Sequence, residues 1–547
     1  MSSDNREYAG TAVLSVYNKE GIVEFARALI EMGWMIVSSG GTYDAIKAGI
    51  PDAGIQLRDI AELVGGGKIL GHRVVTLSRE LHAGLLATHF AEDVAEMKEL
   101  GIPYVGLVCC DMYPLEDAIA ADGATMESVI DKTDIGGPTM LSSAAKGRRI
   151  VLCDAADRPT VIDWLKAGKP GEEEFLTYLA AKADFAVAQY RMHGARFHSQ
   201  GIYNGFFGHQ VAELPKGENG HQVPAALFAT DSGDPLALDM FEVIDGSPPS
   251  YNNLTDMDRL LQTMTHAVAA FNAKDGAVPF IAIGVKHGNP CGASYGIDRL
   301  GVAKNVVTGD TRAIMGGLLM CNFDITGRIA EAMVTEGMSG DARQKFDGVI
   351  APSFDGDAIK AFRRKGGRCR IIVNPALDNE YLLLDHSPRF RQVRGGFLLQ
   401  PNYTHVLDFS ASDVVVHGEL NEFLEGDLVL AWAVGSTSNS NTITIVKNRM
   451  LIGNGVGQQD RVGACELAIK RATDAGHGDM LEGAVAYSDS FFPYPDGPEA
   501  LAQAGVTAIL TSSGSVKDDD VVRQFCIARN GAMVMAPDGE IRGFFNH

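Results

Sequence analysis

Apolar residues along this chain come in short compact runs separated by longer stretches of helical spacing. Ala12 to Val16 is a β-rich run, Gly21 to Met32 has helical spacing, and Trp34 to Ser38 is compact again. That third run closes in Ser39-Gly40-Gly41-Thr42, a turn sequence ahead of another helical stretch. Strand, helix and strand in that order predict a parallel α/β sheet, since parallel neighbours need a crossover connection. Tyr104 to Cys110 and Arg149 to Cys153 continue the strands; Phe175 to Met192, rich in Ala, Leu and Phe at helical spacing, predicts the helix that closes the unit. Between about His198 and Pro224 the composition turns to Gly, Asn, His and Pro, which predicts a domain boundary. Beyond it, strand-like runs at Phe280 to Val285, Gly348 to Ala351, Thr442 to Val446 and Ala508 to Thr511 alternate with helical ones. The length of this second part predicts two subdomains. No low-complexity tract or short repeat period is present.

Composition narrows the function classes. With 46% hydrophobic and 21% charged residues the chain has the balance of a folded, water-soluble protein. Lys plus Arg number 47 against 69 Asp plus Glu, a net charge of −22, which argues against a nucleic-acid surface because phosphate polyanions need a basic footprint. Small anionic ligands stay open, since a pocket can use helix N-termini and a few local cations. The basic cluster Arg363-Arg364-Lys365-Gly366-Gly367-Arg368 reads as a solvated helix end followed by a turn. Eight cysteines without a C-x-x-C pair read as reduced thiols, the pattern of a cytoplasmic enzyme. The first residues lack an apolar leader, and Ala277 to Val285 is far shorter than the ~20 residues that span a bilayer, so neither export nor membrane insertion is expected.

Several segments carry candidate chemistry. Ser39-Gly40-Gly41-Thr42 follows a strand and precedes a helix, a place where backbone N–H groups can cradle a phosphate; a plain turn with a Thr cap fits equally. Asp134-Ile135-Gly136-Gly137-Pro138-Thr139 precedes the helix-like Met140 to Lys146 in the same way, and two such loops in one domain favour an anionic small molecule. Lys286-His287-Gly288-Asn289-Pro290-Cys291-Gly292 sits directly after a strand. There a His can act as general base beside a cation, or can simply bond the turn. Asn441 closes a polar run shortly before Gly453 to Arg461, whose glycines suit either a ligand or a hairpin loop. Asp489-Ser490-Phe491-Phe492-Pro493-Tyr494 offers aromatic faces to a flat heterocycle or to a buried cluster.

Taken in order, these segments resemble the bifunctional purine-biosynthesis family that is both AICAR formyltransferase and IMP cyclohydrolase. The resemblance rests on Ser39 to Thr42, His82 to Ala87, Asp134 to Thr139 with Ala144-Ala145-Lys146, Ser250 to Asn253, Lys286 to Gly292, Gly455 to Arg461, Ser488 to Pro493 and Arg542 to His547, spread over nearly the whole chain. It implies an α/β protein with a methylglyoxal-synthase-like cyclohydrolase domain over residues 1–198. A formyltransferase domain of two cytidine-deaminase-like subdomains follows over residues 199–547. The zinc-ligand pattern of that latter fold, H-x-E with C-x-x-C, is absent, so metal-free chemistry is expected. The resemblance further implies 10-formyltetrahydrofolate as co-substrate, AICAR, FAICAR and IMP as nucleotides, and a homodimer with formyltransferase sites at its interface. By the family pattern His287 matches a general base, Lys286 the cation beside it and Asn441 an orienting amide. Tyr113, Asp134 and Lys146 match catalytic positions of the cyclohydrolase. Lys19, Ser39, Gly40, Gly41, Thr42, Arg73, Tyr203, His209, Gln210, Asn253, Gly292, Arg461, Asp489, Phe491, Arg542 and His547 match substrate-binding positions.

Three departures bear on that expectation. Where the family reads Arg-Tyr-Gly-x-Asn-Pro-His-Gln, this chain has Ile202-Tyr203-Asn204-Gly205-Phe206-Phe207-Gly208-His209-Gln210, so a phosphate-binding Arg is missing. The family's Gly-Arg-Val-Lys-Thr-Leu becomes His72-Arg73-Val74-Val75-Thr76-Leu77, replacing a catalytic Lys by Val75, with Lys68 or His72 as the nearby substitutes. Asp111 stands where the family has Asn. Three functions are therefore weighed: both activities, formyl transfer alone or to a related amine, and a non-catalytic nucleotide binder.

Overall fold

Strands form where the compact apolar runs lie. The computed structural model describes residues 10–67, 69–70, 73–230, 232–378, 383–529 and 531–545, and its chain divides into two compact units, Met1–Phe207 and Gly208–His547. In the first unit five parallel strands lie in the order Leu57–Asp59, Trp34–Ser38, Gly10–Ser15, Val105–Cys110, Ile150–Leu152. Their alternate residues bury on both faces under flanking helices, as a parallel sheet requires. The closing helix, Glu172–His198, is longer at both ends than its apolar spacing predicts. Its first turn, Glu172-Glu173-Glu174, is polar and exposed, yet suits the positive end of the helix dipole. The C-terminal ends of the first four strands in that order face one cavity, as ligand sites in open α/β sheets do.

The second unit is built on a sheet of twelve strands. Its order is Val415–His417, Ala532–Pro537, Ala508–Ser513, Val485–Ser488, Ile443–Lys447, Met450–Gly455, Asn289–Gly296, Phe280–Lys286, Leu318–Cys321, Gly348–Ala351, Arg370–Val373, Glu242–Asp245. Read from its middle outward, the sheet is the same motif twice. Each half has a long helix (Tyr251–Asp275, Glu422–Ser436), then a tight antiparallel hairpin, then three parallel strands, then an antiparallel edge strand. The two hairpins meet at the centre, Ser294 opposite Met450. Both carry the same irregularity: pairing jumps from Val285–Pro290 to Gly284–Gly292 in one, and from Val446–Leu451 to Ile445–Gly453 in the other. Both turns have two consecutive residues at positive φ, His287 and Gly288 in one and Asn448 and Arg449 in the other, the geometry that matches hairpin twist. The two long helices share one core beneath the sheet with Phe271, Trp432 and Tyr487. The opposite face is covered by two separate clusters, one per half.

The basic cluster behaves as a helix end and turn. The helix Gly356–Phe362 stops before it, Gly366 and Gly367 take positive φ, Arg363 pairs with Asp245, and Arg364 donates to Phe346 O. The run Gly453 to Arg461 supplies the end of a strand and the start of the helix Arg461–Asp474 rather than a hairpin loop. Among the described residues no helix is long and apolar enough to cross a membrane.

Candidate functional site

The first unit holds a cavity of about 1220 Å³ at the C-terminal ends of its strands. Two helix N-termini converge on it, those of Gly40–Gly49 and Gly136–Lys146. Their dipoles favour an anion there, but at the second helix the N–H groups of Gly136 and Gly137 already donate to Asp134 and Pro138 has none. Ser39, Gly40 and Gly41 line the wall, with Ser39 Oγ 2.8 Å from Ser15 Oγ. Thr42 is buried and occupied structurally: its hydroxyl accepts from Val16 N–H at 3.1 Å and donates to Val16 O at 3.0 Å. Lys19 is tied to the same loop by donating to the carbonyls of Val16 and Tyr17; burial pushes its ammonium down, and the Asp111 charge opposes that.

Asp134 accepts from Gly137 N–H at 2.9 Å, while its own N–H donates to Tyr190 Oη at 2.6 Å. Burial holds its carboxyl above the ordinary range in spite of the N–H donors of Gly136 and Gly137. Tyr113 stands beside it, edge-on to Tyr17, its phenol raised first by burial and then by the Asp134 charge. The cavity thus gathers Ser39, Gly40, Gly41, Thr42, Lys19, Arg73, Tyr113 and Asp134. It does not gather Lys146, which is exposed at the far end of the helix whose N-terminus lines the wall. Lys68 and His72 lie outside the described residues.

Charge in this cavity runs against an anionic ligand. Its described lining contains the carboxylates Asp59, Asp111, Glu127, Asp131 and Asp134 against two cations, Lys19 and Arg73. Arg73 pairs with Asp131 at 3.3 Å. Val75 lines the wall. The Asp111 carboxylate accepts from the N–H groups of Tyr17 and Asn18, so it occupies donors that another anion would otherwise use.

The second unit has its candidate site at one edge of the central hairpins. Lys286 and His287 line a cavity of about 310 Å³ together with Asn289, Asn454, Val456 and Arg471. Lys286 Nζ donates to Met315 O at 2.7 Å, one of the three donors an ammonium has. The turn is held from behind by Asp256, whose carboxylate accepts from Gly288 N–H at 2.7 Å. Burial raises that carboxyl, against the N–H groups of Gly288 and His287. Asn289 Oδ1 accepts from Asn439 N–H at 3.0 Å, which ties the hairpin to the loop that leads into Asn441. Asn441 itself donates to Gln458 O at 2.9 Å, so the loops on either side of the second hairpin are joined as well.

Behind that loop the buried carboxylate of Asp489 pairs with Arg461 and accepts from Thr442 N–H at 3.0 Å. Burial raises it, and Arg461 opposes the rise. Gly292 serves packing: a Cβ there would meet Val306 O. Asn253 is buried in the capping box that starts the helix Tyr251–Asp275. Arg542 pairs with Asp538 and lies over the Phe544 ring. Phe491 is half-buried beside the core residue Phe492, and Tyr494 is exposed, so the run is neither an aromatic platform nor a closed cluster. Tyr203 is exposed in the first unit, and His209 and Gln210 are exposed on the strand His209–Leu214 of the second. His547 lies outside the described residues. Among the described residues no three His, Cys, Asp or Glu side chains converge where a metal ion could sit.

Comparison with known proteins decides the family. The model of the AICARFT/IMPCHase bienzyme matches residues 144–471, and that of the MGS-like domain matches residues 21–139. The chain is 33% identical to the bifunctional purine biosynthesis protein PurH of Bacillus cytotoxicus over 94% of its own length and 96% of that relative. The chain belongs to the AICARFT/IMPCHase bienzyme family. The PurH proteins of two Bacillus cereus strains match at the same identity, each over 94% of this chain and 96% of the relative. A solved structure described as that of ForH is 31% identical, covering 36% of this chain and all of its own, with a TM-score of 0.30.

Within this bienzyme chain, two residues that hold the second site together, Asp256 and Arg259, carry no motif in the sequence. Asn289 and Asn439, which complete it, lie in the runs Lys286 to Gly292 and Ser436 to Asn441, Asn439 being the alternative to Asn441 that the 12-residue spacing from Asn441 to Gly453 disfavours. Asp256 and Arg259 stand three apart on the helix Tyr251–Asp275 and so share a face, which is the signal the sequence holds for them. Asn289 lies in the run Lys286 to Gly292, and nothing in its identity says that its amide reaches across to another loop.

Proposed function

We propose that formyl transfer from 10-formyltetrahydrofolate to AICAR, the reaction of this family in purine biosynthesis, takes place at the hairpin edge formed by Lys286–Asn289 and Asn439–Asn441. The acceptor amine is conjugated with its neighbouring carboxamide and is a weak nucleophile. A base must take its proton as the nitrogen attacks the formyl carbon. The bond from that carbon to the donor nitrogen then breaks, and the donor nitrogen leaves with a proton. His287 takes the proton from the amine. Lys286 supplies an ammonium donor to the oxygen that gains negative charge. Asn441, fixed through Gln458, orients the reacting groups. The observation that carries this reading is the Lys286-His287 turn at the mouth of a cavity, tied through Asn289 to the loop of Asn441.

Tyr203, His209, Gln210, Asn253, Gly292, Arg461, Asp489, Phe491, Arg542 and His547 belong to the substrate side of this proposal. The parts facing solvent in the single chain, Tyr203, His209 and Gln210, suit a homodimer whose partner completes the site. The repeated halves of the second unit support two cytidine-deaminase-like subdomains. Domains over residues 1–198 and 199–547 and a cytoplasmic location are further parts of the same proposal. The decisive experiment measures formylated product from wild type and His287→Ala. Wild-type turnover with loss of at least ~10² in the variant supports the base; full rate in the variant removes it.

A second reading concerns the first unit. Cyclisation of FAICAR to IMP by Asp134 and Tyr113, with the phosphate on the Ser39–Thr42 loop, fits the two helix N-termini; Lys146 stands outside that arrangement. The carboxylate-rich wall and Val75 favour an impaired cyclohydrolase, because loss of one stabilising donor typically costs ~10²–10³ in rate. Supplied with FAICAR, the protein is expected to form IMP slowly, and Val75→Lys is expected to raise that rate at least about tenfold. Fast wild-type cyclisation, unchanged by Val75→Lys, would contradict the impairment.

A further inference from the structure

The internal repeat gives every residue of one hairpin edge a counterpart at the other. Lys286 corresponds to Lys447, since Val285 pairs with Leu318 as Val446 pairs with Val485. The two lysines even behave alike, donating to Met315 O and to Gly483 O, each at 2.7 Å. Asp256 corresponds to Asp427: each lies five residues into its long helix, and each carboxylate accepts from the second residue of its turn, Gly288 at 2.7 Å and Arg449 at 2.8 Å. Holding the turn is therefore a structural task shared by both halves.

One helical turn further on the two halves part company. The second half carries Leu430, fully buried in the core. The first half carries Arg259, only 3% exposed. A guanidinium where the copy has leucine is costly to bury, and burial pushes its pKa down to about 10. One of its nitrogens, Nη1, is buried without a hydrogen-bond partner. Its other amino group, Nη2, donates to Asn439 Oδ1 at 3.2 Å, and its plane lies 4.4 Å from the Phe545 ring. The facing charges are Asp256 and Asp258 on its own helix and Arg389, which pairs with Asp258 at 2.7 Å and shares the Phe545 ring. A packing role alone would be met by the leucine that the repeat already uses.

We propose that Arg259 is a positioning residue for formyl transfer: with Asp256 it clamps, from one turn of one helix, the two segments that carry His287 and Asn441. Asp256 holds the first segment at Gly288, and Arg259 holds the second at Asn439. Asn439 in turn donates its N–H to Asn289, so both arms close on the same hydrogen-bonded unit. Arg259 thus acts through Asn439 and sets the distance between base and orienting amide. A misplacement of about 1 Å in such a pair can cost ~10² in rate.

This inference rests on the formyl-transfer reading above, so the wild-type rate is measured in the same assay as the variants. Absence of wild-type turnover would count against that reading; wild-type turnover with an equally active Arg259→Leu would count against Arg259 alone. The expected result for Arg259→Leu is an unchanged thermal melt, since leucine fills the equivalent place in the repeat. The expected kcat falls ~10² with little change in KM for either substrate; in Arg259→Ala, which leaves the space of the side chain open, added guanidinium partly restores it. A fall in activity that follows the unfolded fraction, or that guanidinium leaves unmoved in the alanine variant, would overturn the proposal. Should the leucine variant fail to fold, Arg259→Lys, Asn439→Ala and the double variant decide. If Arg259 works through Asn439, the double variant loses no more than the worse single one; multiplying losses would contradict it.

Discussion

The two ends of the central hairpins share a backbone and differ in what they leave open. At one end Tyr295 reaches Asp427, its hydroxyl donating at 3.1 Å, its ring packed on Phe271 and overlain by Arg449. At the other, the register makes Val456 the counterpart of Tyr295, and Val456 lines the cavity beside Lys286 and His287. Asp489, which accepts from Thr442 N–H and pairs with Arg461, has as its counterpart the uncharged Asn322, which accepts from Ile281 N–H at 2.7 Å. Arg299, the counterpart of Arg461, lies over the Phe280 ring. Polar and charged groups concentrate at one end, and aromatic filling at the other. Duplication supplies the scaffold, and the difference between the copies marks the site.

The largest effect that would break this comparison comes from the turns themselves. His287→Asn, which gives the first turn the residue of the second, is expected to lower formyl transfer about a thousandfold. Asn448→Ala at the other end is expected to stay within about twofold of wild type. Equal losses at both turns in a product-formation assay would mean that the ends are functionally alike.

A smaller effect separates the long helices. His266 is buried against Tyr403 and Trp432, and its Nδ1 is 2.7 Å from Gln262 O. Burial pushes its imidazole from 6.5 down to about 4, so it is neutral in the folded protein. Between those values the unfolded chain binds the extra proton, so stability falls as pH drops from about 6.5 toward about 4. The loss is on the order of 3 kcal/mol. Melts between pH 7 and 5 should show this slope, and His266→Phe should flatten it; an identical slope in the variant would remove His266 as its cause.

The smallest effect tests the open end directly. Val456→Tyr places a ring where its counterpart already packs against a carboxylate, so the protein should fold. Transfer should fall about tenfold by obstruction of the cavity. Unchanged kinetics would show that this wall is remote from the substrate.

Much of the fold was legible because apolar runs and strands coincide. Trp34–Ser38 and Gly348–Ala351 are bounded as their patterns predict, by glycine or polar turns next to fully apolar runs. The repeat was not legible. Its copies stand about 160 residues apart and share only fragments, Val285-Lys286 with Val446-Lys447 and Asp298-Arg299-Leu300-Gly301 with Asp460-Arg461-Val462-Gly463. Their likeness lies in hydrogen-bond register, which spacing along the chain does not report. The same limit applies to the site: Lys286 and His287 stand out as a pair, whereas Asp256 and Arg259 look like one more polar helix face until the turn and Asn439 are seen against them. In the first unit the glycine loops were legible as helix N-termini, but the carboxylates around them come from distant parts of the chain, Asp59, Asp111 and the stretch from Glu127 to Asp134.

The most direct test of the central claim is a crystal structure of the protein with the aminoimidazole nucleotide bound. The acceptor amine is expected within hydrogen-bonding reach of His287, at the end of the hairpins where Asn439 and Asn289 meet. A nucleotide seated at the Lys447–Met450 turn, or only in the first unit, would contradict it.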